Sequence, residues 1–77
     1  MANAVIIGNT LAELRTNKGL TQEQLSGLAA LDRTHYSKIE RGLRSPTIET
    51  LFKIAHALGM KPHEVIKLIE DKINIEY

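Results

Sequence analysis

No cysteine occurs anywhere in the 77-residue chain, which removes disulfide staples, thiolate metal sites and thiol redox chemistry together. The same absence suits a reducing cytosol, the expected compartment. Long apolar runs are missing too. No stretch approaches the roughly 18 residues of a membrane span, so no membrane partner is expected. The opening MANAVIIGNT has no basic segment ahead of its apolar residues, which argues against a secretory signal peptide. Strand signals are nearly absent: sustained alternation is lacking, and the few β-branched residues fall at helical spacing. The last residues, INIEY, do alternate and are left unassigned. No repeat, low-complexity run or linker divides the chain. So short a chain makes one domain, residues 1–77, and buries only about 60% of its unfolded surface, so a partner that adds burial would help it.

The net charge of +1 becomes informative when it is split. Residues 1–44 hold six Lys/Arg against four acids, and residues 45–77 hold four Lys against five acids. Four of the early cations lie between Arg33 and Arg44. Such a cluster reads either as a solvated face or as the footprint of a polyanion.

Start and stop signals place five helices. The first covers residues 5–18, with Ile7, Leu11 and Leu14 on one face and Gly19 as a left-handed stop. Thr21 is the N-cap of the second, Gln24 completes a capping box, Leu20 is placed to staple to Leu25, and the helix ends near Ala29. Asp32 caps the third, with Leu31 and Tyr36 as a second staple and Gly42 as the stop. The LRSP loop follows. Thr47 caps the fourth, which turns Leu51, Ile54, Ala55 and Leu58 inward before Gly59. Pro62 opens the fifth, which carries Val65, Ile66, Leu68 and Ile69, with Ile73 beyond. The expected fold is therefore all-α: a compact five-helix bundle whose second and third helices, joined by residues 30–32, make a helix-turn-helix.

The third helix carries the functional question. At about 100° per residue Tyr36 and Ile39 share one narrow arc, Leu43 would continue it, and that arc is the buried one. Arg33, Ser37, Arg41, Thr34 and Lys38 follow around the other side without an apolar interruption. The Arg fork matches guanine O6 and N7, and the Thr methyl can meet a thymine methyl. Arg33 and Thr34 occupy the first turn, the part of a recognition helix that enters the major groove deepest. Arg44 lies just beyond, in a loop that would run beside the same groove. The start of the second helix around Gln22, the start of the fourth around Thr47 with Ser45 before it, and Arg41 are expected to meet phosphates. Glu40 belongs to a different set. It borders the buried arc, as Arg15 borders the apolar face of the first helix, and the two suggest an interhelical ion pair that fixes orientation.

LRTNKGLTQEQLSGLA, LDRTHYSKIERG and SPTIETLFKIAHALGM resemble the phage-repressor and Cro-like (XRE-type) helix-turn-helix family over roughly residues 11–60. LDRT followed by IERGLR in so short a chain is most similar to the controller proteins of restriction–modification systems. The resemblance implies a lambda-repressor-like DNA-binding domain in a bacterial or phage protein, cytoplasmic and held at the nucleoid by its DNA. It implies a dimeric regulator of its own operon, with RNA polymerase as a further candidate partner. Gln22 matches a phosphate-contacting glutamine, Arg33, Thr34 and Lys38 fall on base-reading positions, Arg44 matches a groove-reaching loop arginine, and Arg15 and Glu40 match a structural ion pair. One departure bears on the operator sequence: His35 stands where controllers tend to carry an aromatic residue, and Tyr36 follows it.

Helix five has too broad an apolar arc for one buried stripe. A homodimer on an inverted-repeat DNA operator is expected, with residues 60–77 contributing and Val65, Ile66, Leu68 and Ile69 at the interface. No enzyme is expected. His35, His56 and His63 sit on different helices without ligand spacing, no G-x-S-x-G, phosphate loop or close carboxylate pair occurs, and neither metal nor cofactor is implied. The competing class is a binding module of the same fold, an antitoxin whose main task is to mask a toxin.

Overall fold

The computed structural model describes residues 3–76. The helices are α1 (Asn3–Asn17), α2 (Gln22–Leu28), α3 (Arg33–Glu40), α4 (Ile48–Ala57) and α5 (Pro62–Glu76), and no strand occurs among the described residues. The all-α five-helix architecture is the expected one.

Local chemistry starts and stops these helices as their residue types dictate. The Thr21 hydroxyl accepts from the Gln24 backbone N–H at 3.0 Å while the Gln24 side chain accepts from the Thr21 N–H at 2.9 Å, a complete capping box. Asp32 accepts from the His35 N–H at 3.1 Å, and Thr47 from the Thr50 N–H at 3.1 Å. Pro62 is the first residue of α5, where its missing N–H leaves no bond unmade. Gly42 has φ of 75° directly after the α3 cap, a conformation that glycine adopts without strain.

Every helix delivers residues to one core: Leu11 from α1, Leu25 from α2, Tyr36 and Ile39 from α3, Leu51, Ile54 and Ala55 from α4, and Val65 and Ile69 from α5. Ile7, Leu14, Leu20, Leu31 and Ile73 pack against its edge. Removing a side chain such as Leu11, fully buried, would cost about 2–5 kcal/mol as a Leu→Ala change. Among the described residues no buried side-chain polar atom lacks a partner.

The structure corrects two expectations and assigns one segment that the sequence leaves open. Leu43 does not continue the buried arc of α3; it is 64% exposed. Gly42 turns the chain, and the Leu43 N–H reaches back 2.9 Å to the Lys38 carbonyl, so the helical phase is lost before Leu43. The C-terminal alternation, to which the sequence assigns no element, lies in a helix: α5 runs on through Glu76, and Tyr77 lies outside the described residues. Helix one starts earlier, at Asn3, and buries Ile6, Gly8 and Thr10 beside Leu11. Gly8 is there for space. A Cβ at that position would stand 2.4 Å from the Ile39 carbonyl oxygen and 2.5 Å from that of Glu40, so α1 rests directly on the backbone at the end of α3.

The turn between α2 and α3 holds a non-glycine residue in the left-handed region, Ala30 at φ 56°. The Leu31 N–H closes the turn on the Ser26 carbonyl at 2.8 Å. Two substitutions of opposite sign follow. Gly8→Ala is expected to destabilise by about 1–3 kcal/mol, because the obstructing atoms are backbone and cannot rotate away. Ala30→Gly should stabilise by about 0.5–1 kcal/mol, the relief of the left-handed strain less glycine's greater unfolded-state freedom. Urea unfolding midpoints check both, and an Ala30→Gly variant weaker than its parent would mean the turn carries no such strain.

Candidate nucleic-acid interface

Helix α3 is buried along Tyr36, Ile39 and Glu40. Arg33 and Thr34 are exposed in its first turn, Ser37 and Lys38 are half-buried further along, and Arg41 is exposed just past its end. Arg44 and Ser45 stand exposed in the loop that leads to α4, and Thr47 begins that helix. The side chains thus form one polar surface backed by the core. None of the cations Arg33, Lys38, Arg41 and Arg44 is paired with a carboxylate among the described residues, whereas Lys53, Lys67 and Lys72 are. An uncovered positive surface on a rigid support is what attracts a polyanion.

Behind that surface lies the Glu40 carboxylate, whose side chain is 5% exposed. Arg15 meets it with two prongs, Nε at 2.6 Å from Oε2 and Nη2 at 3.1 Å from Oε1. The Tyr36 hydroxyl, one turn back on the same helix, donates to Oε2, and Gln22 Nε2 donates to Oε1 at 2.9 Å. The third Arg15 nitrogen, Nη1, reaches the Leu20 carbonyl at 2.7 Å. The expected Arg15–Glu40 pair is therefore present, and it gathers α1, α2 and α3 at one point.

The electrostatics follow from these contacts. Burial alone would raise the Glu40 carboxyl, but the hydrogen bonds from Arg15, Tyr36 and Gln22 outweigh it and hold the group below the ordinary carboxylate range. Tyr36 is pushed upward, first by burial and then by its bond to the Glu40 anion. Arg15 is raised by its hydrogen bond to Glu40 against a smaller opposing effect of burial.

Two expected phosphate-contacting side chains have structural duties as well. Gln22 is half-buried with one amide hydrogen on Glu40; its nitrogen carries a second. The Thr47 hydroxyl accepts from the Thr50 N–H and donates to the Thr50 hydroxyl at 3.0 Å, so its proton reaches a phosphate only when that second bond opens or reverses. The Tyr36 and Gln22 bonds to Glu40 go beyond what the sequence predicts. Tyr36 precedes Glu40 by four residues, a helical neighbour spacing that signals the first; nothing local signals the second. Val65 and Ile69, expected at a dimer interface, are instead packed inside the protomer's own core, 0% and 6% exposed. They point along the stripe that α5 lays against its neighbours, and only Ile66 and Leu68 present surface. Ile48 and Phe52 on α4, 64% and 52% exposed, are apolar surface beside the helix's inward stripe.

The helix-turn-helix family profile matches residues 11–66. The chain belongs to the helix-turn-helix family. Control protein C.MunI from a Mycoplasma species is 42% identical over 64 residues, which cover 82% of this chain and 86% of that protein. Among solved structures, the restriction-modification controller protein C.AhdI from Aeromonas hydrophila is 43% identical with a TM-score of 0.80, covering 84% of this chain and 98% of that one. The controller protein C.Esp1396I, solved as a tetramer in complex with its natural 35 base-pair operator, is 30% identical with a TM-score of 0.85, over 95% of this chain and 96% of that one. The chain is thus a helix-turn-helix transcriptional regulator homologous to controller proteins. Among the described residues no helix is long and apolar enough to cross a membrane, and no group of three His, Cys, Asp or Glu is placed to hold a metal.

The Glu40 cluster predicts how stability responds to acid. A carboxyl lowered in the folded state stabilises it at all pH above its unfolded value, about 4.3, and that contribution is lost as pH falls through the folded value. The urea midpoint should therefore drop as the pH is taken from about 5 toward 2. Glu40→Gln, which lacks the titrating group, should be weaker at neutral pH by up to about 3 kcal/mol and should lose less further stability in acid. Parallel acid profiles for the two proteins would refute the assignment.

Proposed function

We propose that the protein is a homodimeric controller that binds an inverted-repeat operator and regulates its own operon together with a restriction–modification system. The carrying observation is the outward face of α3: Arg33 and Thr34 exposed in the first turn, with no carboxylate among the described residues neutralising the cations, on a helix anchored from behind by Tyr36, Ile39 and Glu40. In this reading Arg33, Thr34, Ser37 and Lys38 meet base edges, and Arg44 enters the groove from the loop. Gln22, Arg41, Ser45 and Thr47 meet the backbone. The operator complex of the similar C.Esp1396I protein supports the DNA role, and C.MunI and C.AhdI support the controller role.

The dimer reading rests on uncovered apolar surface. Helix α5 packs on α1 and α4. Lys72, one turn beyond Leu68, bonds Glu13 of α1 at 2.7 Å, so the Leu68 side of α5 borders α1. By its angle on the helix Ile66 lies on the opposite flank of α5 from Leu68, and on α4, which α5 also packs against, the exposed Ile48 and Phe52 form a stripe four residues apart. A two-fold partner on this α4–α5 face would cover all three, with Leu68 at its margin. Sedimentation at tens of micromolar should give a dimer mass, and Phe52→Lys or Ile66→Lys should give a monomer. A wild-type monomer at that concentration would remove the dimer.

Two half-sites of such a dimer would lie about 34–36 Å apart centre to centre. Arg33 and Arg41 separate the two kinds of contact. Arg33→Ala should cost about 1–3 kcal/mol per half-site and flatten preference at one base pair. Arg41→Ala should weaken operator and random DNA alike and reduce the log–log salt slope by about one per subunit. Titrations against the operator, a single-base variant and random duplex distinguish them. An Arg33→Ala protein with its full operator preference would return the α3 face to a merely solvated one.

A further inference from the structure

We infer that the buried Glu40 carboxylate is a positioning group for DNA: by holding one N–H of the Gln22 carboxamide it aims the other at the phosphate backbone. The inference rests on the phosphate role of Gln22 proposed above and adds what makes that side chain competent. A free glutamine end turns either its oxygen or its nitrogen outward, and an outward oxygen repels phosphate. Against an anion only the nitrogen can face inward. The bond of 2.9 Å from Gln22 Nε2 to Glu40 Oε1 therefore excludes the flipped amide and leaves a donor available.

Glu40 can act as such an anchor because it is itself immobile. Arg15 grips both of its oxygens and Tyr36 takes a further lone pair. Through Nη1 the same guanidinium holds the Leu20 carbonyl, two residues ahead of Gln22. Both the backbone leading to Gln22 and the end of its side chain are thus fixed to one ion pair. That pair sits on the last residue of α3, the helix that carries Arg33 and Thr34. Seating α3 against bases and presenting Gln22 to the backbone become a single rigid act.

A double-mutant cycle on the full chain tests this. The probe is a random-sequence DNA duplex, because the contact in question carries no base preference. Gln22→Ala should weaken binding about tenfold in the wild-type background. In a Glu40→Gln background the same substitution should have less than about a twofold effect, since the amide has lost its anionic anchor. Should Glu40→Gln not fold, the paired change Arg15→Met with Glu40→Met serves as the background, because an apolar pair of similar volume commonly preserves stability. The free protein gives a second readout: one Gln22 side-chain amide proton should exchange more slowly than those of the exposed Gln24, and the difference should vanish in the Glu40 variant. Equal weakening by Gln22→Ala in both backgrounds overturns the positioning role and leaves the phosphate contact standing. No weakening in the wild type overturns the phosphate contact and the positioning role with it. Exchange at Gln22 as fast as at Gln24 overturns the anchor itself.

Discussion

A single buried carboxylate organises this domain. Glu40 sits at the end of α3, takes two bonds from α1 through Arg15, one from α2 through Gln22 and one from its own helix through Tyr36. An ion pair of this kind adds little net stability over an apolar pair of the same shape, because both charges give up water. What it does add is exclusivity. Only one mutual placement of α1, α2 and α3 satisfies every donor, and any other strands a charge. Gly8 supports the same placement by a different physical means, a contact of α1 with the backbone of α3 too close for any side chain. Electrostatics and steric fit thus agree on how α1 meets α3.

The need for such bracing follows from length. Helix α3 has eight residues, too few to be stable in water by itself. It is held by the Asp32 cap at its start, by Tyr36 and Ile39 in the core, and by Glu40 at its end. All of its anchors lie on one side. The opposite side is consequently free of structural duty, and Arg33 and Thr34 can change without altering the fold. The half-buried Ser37 and Lys38 have less latitude.

Much of this was legible in the chain because its signals are local. Thr21 with Gln24, Asp32 and Thr47 each cap a helix through bonds that span three residues, and a spacing of that kind can be read directly. The buried stripe of α4 follows from a 3.6-residue period. The Arg15–Glu40 pair, 25 residues apart, was still inferable because both charges border apolar arcs that must meet. Legibility failed where a residue's environment is set by the third dimension. Leu43 has the right phase for burial, but Gly42 turns the backbone before it. Val65 and Ile69 lie in the core rather than at a partner's surface, and an apolar arc alone does not say which part faces the protomer's own core. The Gln22–Glu40 bond depends on how α2 lies across α3, and no spacing encodes that.

Residues of the candidate interface therefore divide by how many tasks they perform. Arg33, Thr34, Arg41 and Arg44 are exposed, and among the described residues no carboxylate pairs with the three arginines, so no internal ion pair restrains them. Gln22 and Thr47 are different: each already satisfies a group inside the protein. Side chains with internal bonds are held in one rotamer before any ligand arrives, which lowers the entropy lost on binding. They are suited to contacts that are the same at every DNA sequence, since phosphates repeat and bases do not. In the proposed mode of binding, Arg33, Thr34 and Arg44 would read bases free of internal restraint, and Gln22 and Thr47 would register on the backbone from positions the fold has already set. Arg41 would add a backbone contact that no carboxylate among the described residues holds. In the proposed mode, such a division would let base preference drift through α3 while the docking geometry stays fixed by the Glu40 cluster.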